Sequence, residues 1–428
     1  MSLVALLKNK TAKNAGWIIG EKVAQMMISL VVSLLTARYL GPSNYGLINY
    51  ATSFTSFFAA ICTLGINSLL VKELVDRPQK EGEVLGTALV LQAISSLLSA
   101  ITIVAVASII DRDEPITILV VALCSLGLLF QIGNVFNYWF QRHLKSKYTA
   151  MIAFVAYIAT SVYRIVLMVS GSNVTWFALA ASVDHVCVAA LLLLCYRKNN
   201  GQRLVFSWEY GKDLLSRSKH FILSGMMVAI YAQSDKLMLK QMLDVTQTGY
   251  YATASSVNGM WCFILSAIIQ SMYPSVMEAH RAGDEELFKK KNRQMYAIIF
   301  YVSMAAAVMF SIFANLIIRI LYGKAYLAAA MPLRIICWYT AFSYLGVARE
   351  AWVVSKNKQK YLVPVYIAAA VTNVILNCFL IPLWGVNGAA LASVMAQVLT
   401  GFVLPFFIKG LRENARLMLD AIMLKNVR

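Results

Sequence analysis

Charge is what this sequence lacks. Asp, Glu, Lys and Arg make up only 14% of its 428 residues, where a soluble chain carries about 25%. That scarcity excludes an ordinary water-soluble fold. Cysteine is present seven times, at 62, 124, 187, 195, 262, 337 and 378, without a CxxC or Cys/His spacing. A metal site is therefore not expected, and each cysteine reads as a small residue of an apolar helix. A cleavable leader is not expected either. Met1–Lys13 holds three lysines and leads into a span too long for a signal core.

What is present is hydrocarbon-compatible sequence from end to end. The chain is 60% hydrophobic, with a mean hydropathy of +0.67, and apolar stretches long enough to cross a ~30 Å core recur throughout. They predict an all-α polytopic membrane protein of about twelve transmembrane helices. The expected spans are 14–38, 45–71, 84–110, 116–140, 148–171, 175–196, 218–243, 248–277, 294–318, 326–354, 361–383 and 388–408. The net charge is +18. In a soluble protein that would suggest nucleic acid; here it has a plainer source. With the N-terminus inside, 28 of the 38 Lys and Arg residues fall in cytoplasmic segments, which predicts both ends cytoplasmic. The outer connections Gly41–Asn44, Gly171–Val174 and Pro382–Asn387 are then little more than turns.

The ends of the fourth and tenth spans match. Trp139–Tyr148 reads WFQRHLKSKY and Trp352–Tyr361 reads WVVSKNKQKY, with Trp, Lys, Lys and Tyr coinciding at an offset of 213. A weaker echo links GLINYAT at Gly46–Thr52 to GYYAT at Gly249–Thr253. Six spans per repeat is an even number, so the halves share orientation and relate by a two-fold along the membrane normal. The longest polar linker, Arg197–Arg217, marks the join. The expected lobes are 1–205 and 206–428, six helices each.

Polar residues line particular helix faces. The first span carries Lys22, Gln25, Ser29, Ser33 and Thr36 at steps of three and four. The second carries Asn49, Ser53, Ser56, Thr63 and Asn67; the eighth carries Ser255, Asn258, Cys262, Ser266, Gln270 and Tyr273. Serines in membranes commonly serve helix–helix contact. Lys22, Asn67, Asn258 and Gln270 fit a wet cleft between the lobes better, because an intramembrane charge costs roughly 2.5–3.5 kcal/mol or more in hydrocarbon. The seventh span adds QSDKLMLKQM, with Asp235, Lys236 and Lys240. Lys236 and Lys240 share a face and repel unless an anion or water lies between them. Asp235 points about 100° from Lys236, so its partner is expected on another helix. Arg38, Lys240 and Arg334 are equally readable as interfacial anchors. Arg164 lies within the fifth span, and Asp184 with His185 lies mid-span six, either as a proton-coupled pair or as a satisfied interhelical hydrogen bond.

Two motifs carry a family resemblance. "ARYLGP..YG" is matched by Ala37–Pro42 with Tyr45–Gly46, and "DK.ML" followed by "GYYA.A" by Asp235–Leu239 and Gly249–Ala254. In these motifs, and in span count and loop lengths along the full chain, the sequence resembles the polysaccharide flippases, the O-antigen and repeat-unit exporters of the multidrug/oligosaccharidyl-lipid/polysaccharide superfamily. The resemblance implies a MATE-like fold of two six-helix lobes around a central cleft. It implies translocation of an undecaprenyl-diphosphate-linked oligosaccharide between the leaflets of a bacterial inner membrane, with no cofactor beyond an H+ or Na+ gradient. On that basis Lys22, Arg38, Arg164, Lys236 and Lys240 are candidates for the diphosphate or an acidic sugar. Asn49, Asn67, Asn258 and Gln270 are candidates for sugar hydroxyls, and Glu21, Asp184 and Asp235 for ion coupling. Expected partners are the lipid-linked substrate, membrane lipids and polysaccharide polymerase or assembly proteins, not nucleic acid. A multidrug-type cation antiporter of the same superfamily would show an acidic or aromatic cavity instead. A membrane glycosyltransferase or polymerase would need a loop of convergent carboxylates, and none is visible.

Overall fold

A computed structural model describes residues 10–425; side chains are described from Ile28 onward, apart from positions 220 and 224. All regular structure among the described residues is helical. The bilayer dictates this, because a helix satisfies its backbone N–H and C=O groups internally where hydrocarbon offers no partner. Eight stretches are long and apolar enough to cross a membrane, and a ninth is the pair Lys324–Ile336 and Tyr339–Ser355, bent by 51°. Two of the eight are double. Gly41 (φ 73°) breaks Lys10–Cys62, and Gly385 (φ 59°) breaks Leu362–Gln397. Such φ values cost little only for glycine. Trp208–Met242 is 35 residues long and carries eight charged residues, which lower its hydropathy. Divided at these breaks, the described residues form the expected twelve spans.

Helix ends depart from the hydropathy ranges for local reasons. The ninth span, expected at 294–318, is the helix Glu285–Leu321. Asp284 caps it by accepting from the Leu287 N–H at 2.8 Å, so the helix starts well before its apolar stretch. The twelfth span leaves regular α-helix at Gln397, passes through a π-turn at Val398–Val403, and tightens at Leu404–Phe406, where Pro405 cannot donate.

The chain divides into two compact units: Met1–Leu40 with Tyr50–Ala229, and Gly41–Asn49 with Ile230–Arg428. The polar linker belongs to the first. Val205 N–H donates to the Gly82 carbonyl (3.1 Å), and Gly82 N–H donates to Gln202 Oε1 (3.0 Å). A Cβ on Gly82 would lie 2.2 Å from the Arg203 oxygen, so only glycine permits this docking. Beyond the linker, Tyr210 and Arg217 both donate to the buried Glu73 carboxylate. These bonds carry the first unit into the middle of Trp208–Met242, past the polar join.

The duplicated turns are alike in three dimensions. Leu144 (φ 52°) and Asn357 (φ 53°) are both left-handed, and Lys145 N–H and Lys358 N–H return to the Phe140 and Val353 carbonyls at 2.8 and 2.9 Å. Lys145 Nζ lies 5.8 Å from the Trp139 ring and Lys358 Nζ 4.6 Å from that of Trp352, a cation–π contact in each.

The weaker echo also has a structural counterpart, inside the second unit. A Cβ on Gly46 would fall 1.8 Å from the Val245 oxygen, and one on Gly249 would fall 2.1 Å from the Pro42 oxygen. The contact is reciprocal. Residues 42 and 46 correspond to 245 and 249 by one step of 203, as in an isologous interface. Two of the family motifs therefore meet backbone to backbone.

Candidate binding pocket around Asp235 and Lys236

The second unit holds an open-mouthed cavity of about 270 Å³. Its walls come from the C-terminal part of Trp208–Met242, from Val245–Gly259, from the bent pair of the tenth span, and from the last arm of Leu362–Gln397. Asp235, Lys236 and Asn258, three of the residues singled out from sequence, line it together.

Asp235 is 5% exposed. A buried carboxylate is tolerable only when its oxygens are hydrogen-bonded. Asn377 Nδ2 donates to Oδ1 (2.6 Å), while Ser393 Oγ (2.6 Å) and the Tyr251 hydroxyl donate to Oδ2. Behind them, Asn377 Nδ2 and Ser234 Oγ both donate to Asn373 Oδ1, at 3.1 and 2.7 Å. Gly385 makes this arrangement reachable. Its left-handed turn folds one long helix into two arms, bringing Asn373 and Asn377 on one arm and Ser393 on the other to the same carboxylate. The arms meet so closely that a Cβ on Gly388 would sit 1.9 Å from the Leu380 oxygen. The partners of Asp235 do lie on other helices, but they are neutral amides and hydroxyls rather than a cation.

Lys236 faces the cavity, and its ammonium has no ion-pair or hydrogen-bond partner among the described residues. Tyr231, Tyr251, Tyr339 and Tyr344 supply most of the aromatic wall. Asn258 Oδ1 accepts from Thr340 Oγ1 at 3.0 Å, and Ser255 Oγ is buried without a partner among the described residues. Among the described residues, no three His, Cys, Asp or Glu side chains converge as a metal site would require.

The other candidates are dispersed. Lys240 is buried (7% exposed) but does not line the cavity, so the two lysines do not form one wall of it. Gln270 is exposed further along Cys262–Arg281. In the first unit, Asn67 Oδ1 accepts from Gln92 at 2.9 Å, Arg164 is half-buried on Ser146–Val169, and Arg38 is exposed. Asn49, in the short segment assigned to the second unit, donates to the Tyr45 carbonyl at 2.9 Å. Asp184 accepts from Thr160 Oγ1 (3.3 Å) across helices, beside His185 Nδ1 at 3.8 Å. The side chains of Glu21 and Lys22 lie outside the described residues. Asn373, Asn377 and Ser393 escaped the sequence reading. Two asparagines one turn apart in the apolar run VTNVILNCFLIP were a usable signal.

These features define an all-α, multi-pass membrane protein with a pocket that carries polar and charged side chains within one helical unit. The comparisons with known proteins agree on its kind. The chain belongs to the polysaccharide biosynthesis protein family, whose model matches residues 11–280. It is 19% identical over 413 residues to the capsular polysaccharide biosynthesis protein CapF of Staphylococcus aureus, covering 93% of this chain and 99% of that protein. It is 22% identical over 246 residues to a putative O-antigen transporter of Salmonella typhi, covering 54% of each, so it spans about half of that relative. Among solved structures, the lipid II flippase MurJ in an inward closed conformation superimposes with a TM-score of 0.72 at 13% identity, over 95% of this chain and 91% of that one. The fold is thus shared with flippases of the multidrug/oligosaccharidyl-lipid/polysaccharide superfamily.

Proposed function

We propose that the protein moves an undecaprenyl-diphosphate-linked oligosaccharide repeat unit, of O-antigen or a similar surface polysaccharide, from the inner to the outer leaflet of a bacterial inner membrane. Membership of the polysaccharide biosynthesis family carries this reading. The two lobes, 1–205 and 206–428, rock about a central cleft in alternating access, with both termini cytoplasmic. Lys22, Arg38, Arg164, Lys236 and Lys240 are the cations for the diphosphate or an acidic sugar. Asn49, Asn67, Asn258 and Gln270 meet hydroxyls. Asp235, ringed by oxygen-bearing side chains, is the leading candidate for coupling to H+ or Na+, ahead of Asp184 and Glu21.

The test is export. In cells lacking the chain, surface polysaccharide should disappear and return with the wild-type gene, and Lys22→Ala, Arg164→Ala and Lys236→Ala should each reduce it. Normal export by all three variants would remove the cationic-site reading. One observation favours the multidrug alternative, an aromatic cavity wall that includes Asp235. Lys236 in the same wall opposes a cationic cargo. Resistance to cationic dyes that depends on Asp235, with normal surface polysaccharide in deleted cells, would establish the alternative.

A further inference from the structure

The last helix of the chain lines no part of the pocket, yet its surface is ordered in a way that packing alone does not require. Arg412–Ile422 follows the twelfth span after a short turn. Its inner face, with Asn414, Leu417, Met418 and Ala421, is buried against Glu285–Leu321. Around the rest of the circumference, at about 100° per residue, the side chains change in one direction. Leu419 and Ile422 form an apolar flank, Arg412 and Arg416 an exposed crest, and Glu413 and Asp420 the opposite flank. A helix lying in a bilayer interface has this order: an apolar side toward the acyl chains, cations at the headgroups, acids toward water.

Both ends of the helix carry the marks of the hydrocarbon edge. The last carbonyls of a helix lack partners of their own, and a bilayer supplies none. Here the Ile422 carbonyl accepts from the Tyr301 hydroxyl at 2.7 Å. Tyr301 is itself exposed, on the apolar stretch of Glu285–Leu321. Met423 and Leu424 are exposed just beyond the helix, and Phe407 just before it.

The cations identify what covers this surface. Arg416 has Glu413 three residues before it and Asp420 four after, positions from which a carboxylate can reach. It pairs with neither, and Lys409 and Arg412 also pair with no carboxylate among the described residues. Arg412 Nε donates to the Phe406 carbonyl at 3.0 Å, which holds this exposed guanidinium at the end of the last span. Three exposed cations are thus left for an external anion although two acids stand within one turn. An acidic protein would satisfy the charges alone. Only a bilayer sets anions beside hydrocarbon, and hydrocarbon is what Phe407, Met423 and Leu424 require.

We propose that Arg412–Ile422 is an interfacial helix whose exposed cations, Lys409, Arg412 and Arg416, hold the headgroups of anionic phospholipids. The leaflet is the one at that end of the chain, cytoplasmic in the orientation proposed above. The assignment stands apart from the cargo and from the pocket.

The full-length protein is placed in nanodiscs of phosphatidylcholine, alone or mixed with phosphatidylglycerol, and amide hydrogen exchange is followed along the chain. Phosphatidylglycerol should slow exchange within Arg412–Ile422 by about five-fold or more, and high salt should remove the difference. Lys409→Gln combined with Arg416→Gln keeps the buried face and the bond from Arg412 to Phe406. Exchange of this variant in phosphatidylcholine should therefore match wild type, while the response to phosphatidylglycerol should be lost. If the double variant already exchanges faster in phosphatidylcholine, Arg416→Gln alone carries the comparison, with a reduced response expected. The assignment is overturned if wild type exchanges equally in the two lipids, or if the variants respond as wild type does. A response of the same size at every helix of the chain overturns it as well, since it would belong to the fold as a whole.

Discussion

At the scale of the residue, the buried acid is the point of greatest leverage. Asp235 owes its place to three neutral donors on two other helices, so removing one leaves a charge-assisted bond unmade. Asn377→Ala should cost about 1.5–3 kcal/mol. The same change in an Asp235→Asn background should cost measurably less, because the charge it served is gone. A double-mutant cycle on the unfolding midpoint reads the difference. Equal costs in the two backgrounds would show that Asn377 acts through packing alone. Arg349 is a contrasting case. It is 2% exposed, and its guanidinium donates to the Gly401 carbonyl in the π-turn. It holds an irregular backbone.

At the scale of the element, close backbone approach decides which glycines matter. Gly249 packs against the Pro42 carbonyl, whereas Gly171 has a left-handed φ of 69° and nothing within 4 Å of its missing Cβ. Gly249→Ala must push two backbones apart and should cost about 3 kcal/mol or more. Gly171→Ala should cost only its conformational strain, about 1–2 kcal/mol. Thermal melts of the two variants side by side would reverse this order if the reciprocal contact were loose. Much at this scale was legible in sequence. Span number followed from apolar length, and the repeated turn was visible because both copies keep the tryptophan and the lysine that covers it. The Asp235 network was not. Its members are separated by as many as 158 residues, and they converge only because Gly385 folds one helix back, a geometry that hydropathy does not encode. Lys236 and Lys240 show the limit of helical periodicity: one turn apart on one face, only Lys236 lines the cavity.

At the scale of the whole molecule, the positive-inside distribution makes a prediction that needs no transport assay. A fluorescent protein fused to the C-terminus should fold and fluoresce, and alkaline phosphatase inserted between Gly171 and Val174 should be active. The opposite pattern would invert the chain in the membrane and place the polar linker outside. The unit boundaries bear on how the protein is dissected. Residues 41–49 precede most of the first unit in sequence yet belong to the second, where Gly46 meets Gly249. No single cut in the chain therefore separates the two compact units. A fragment begun at residue 206 would start with a segment that packs in the other unit and would lack the turn that Val245 and Gly249 close upon.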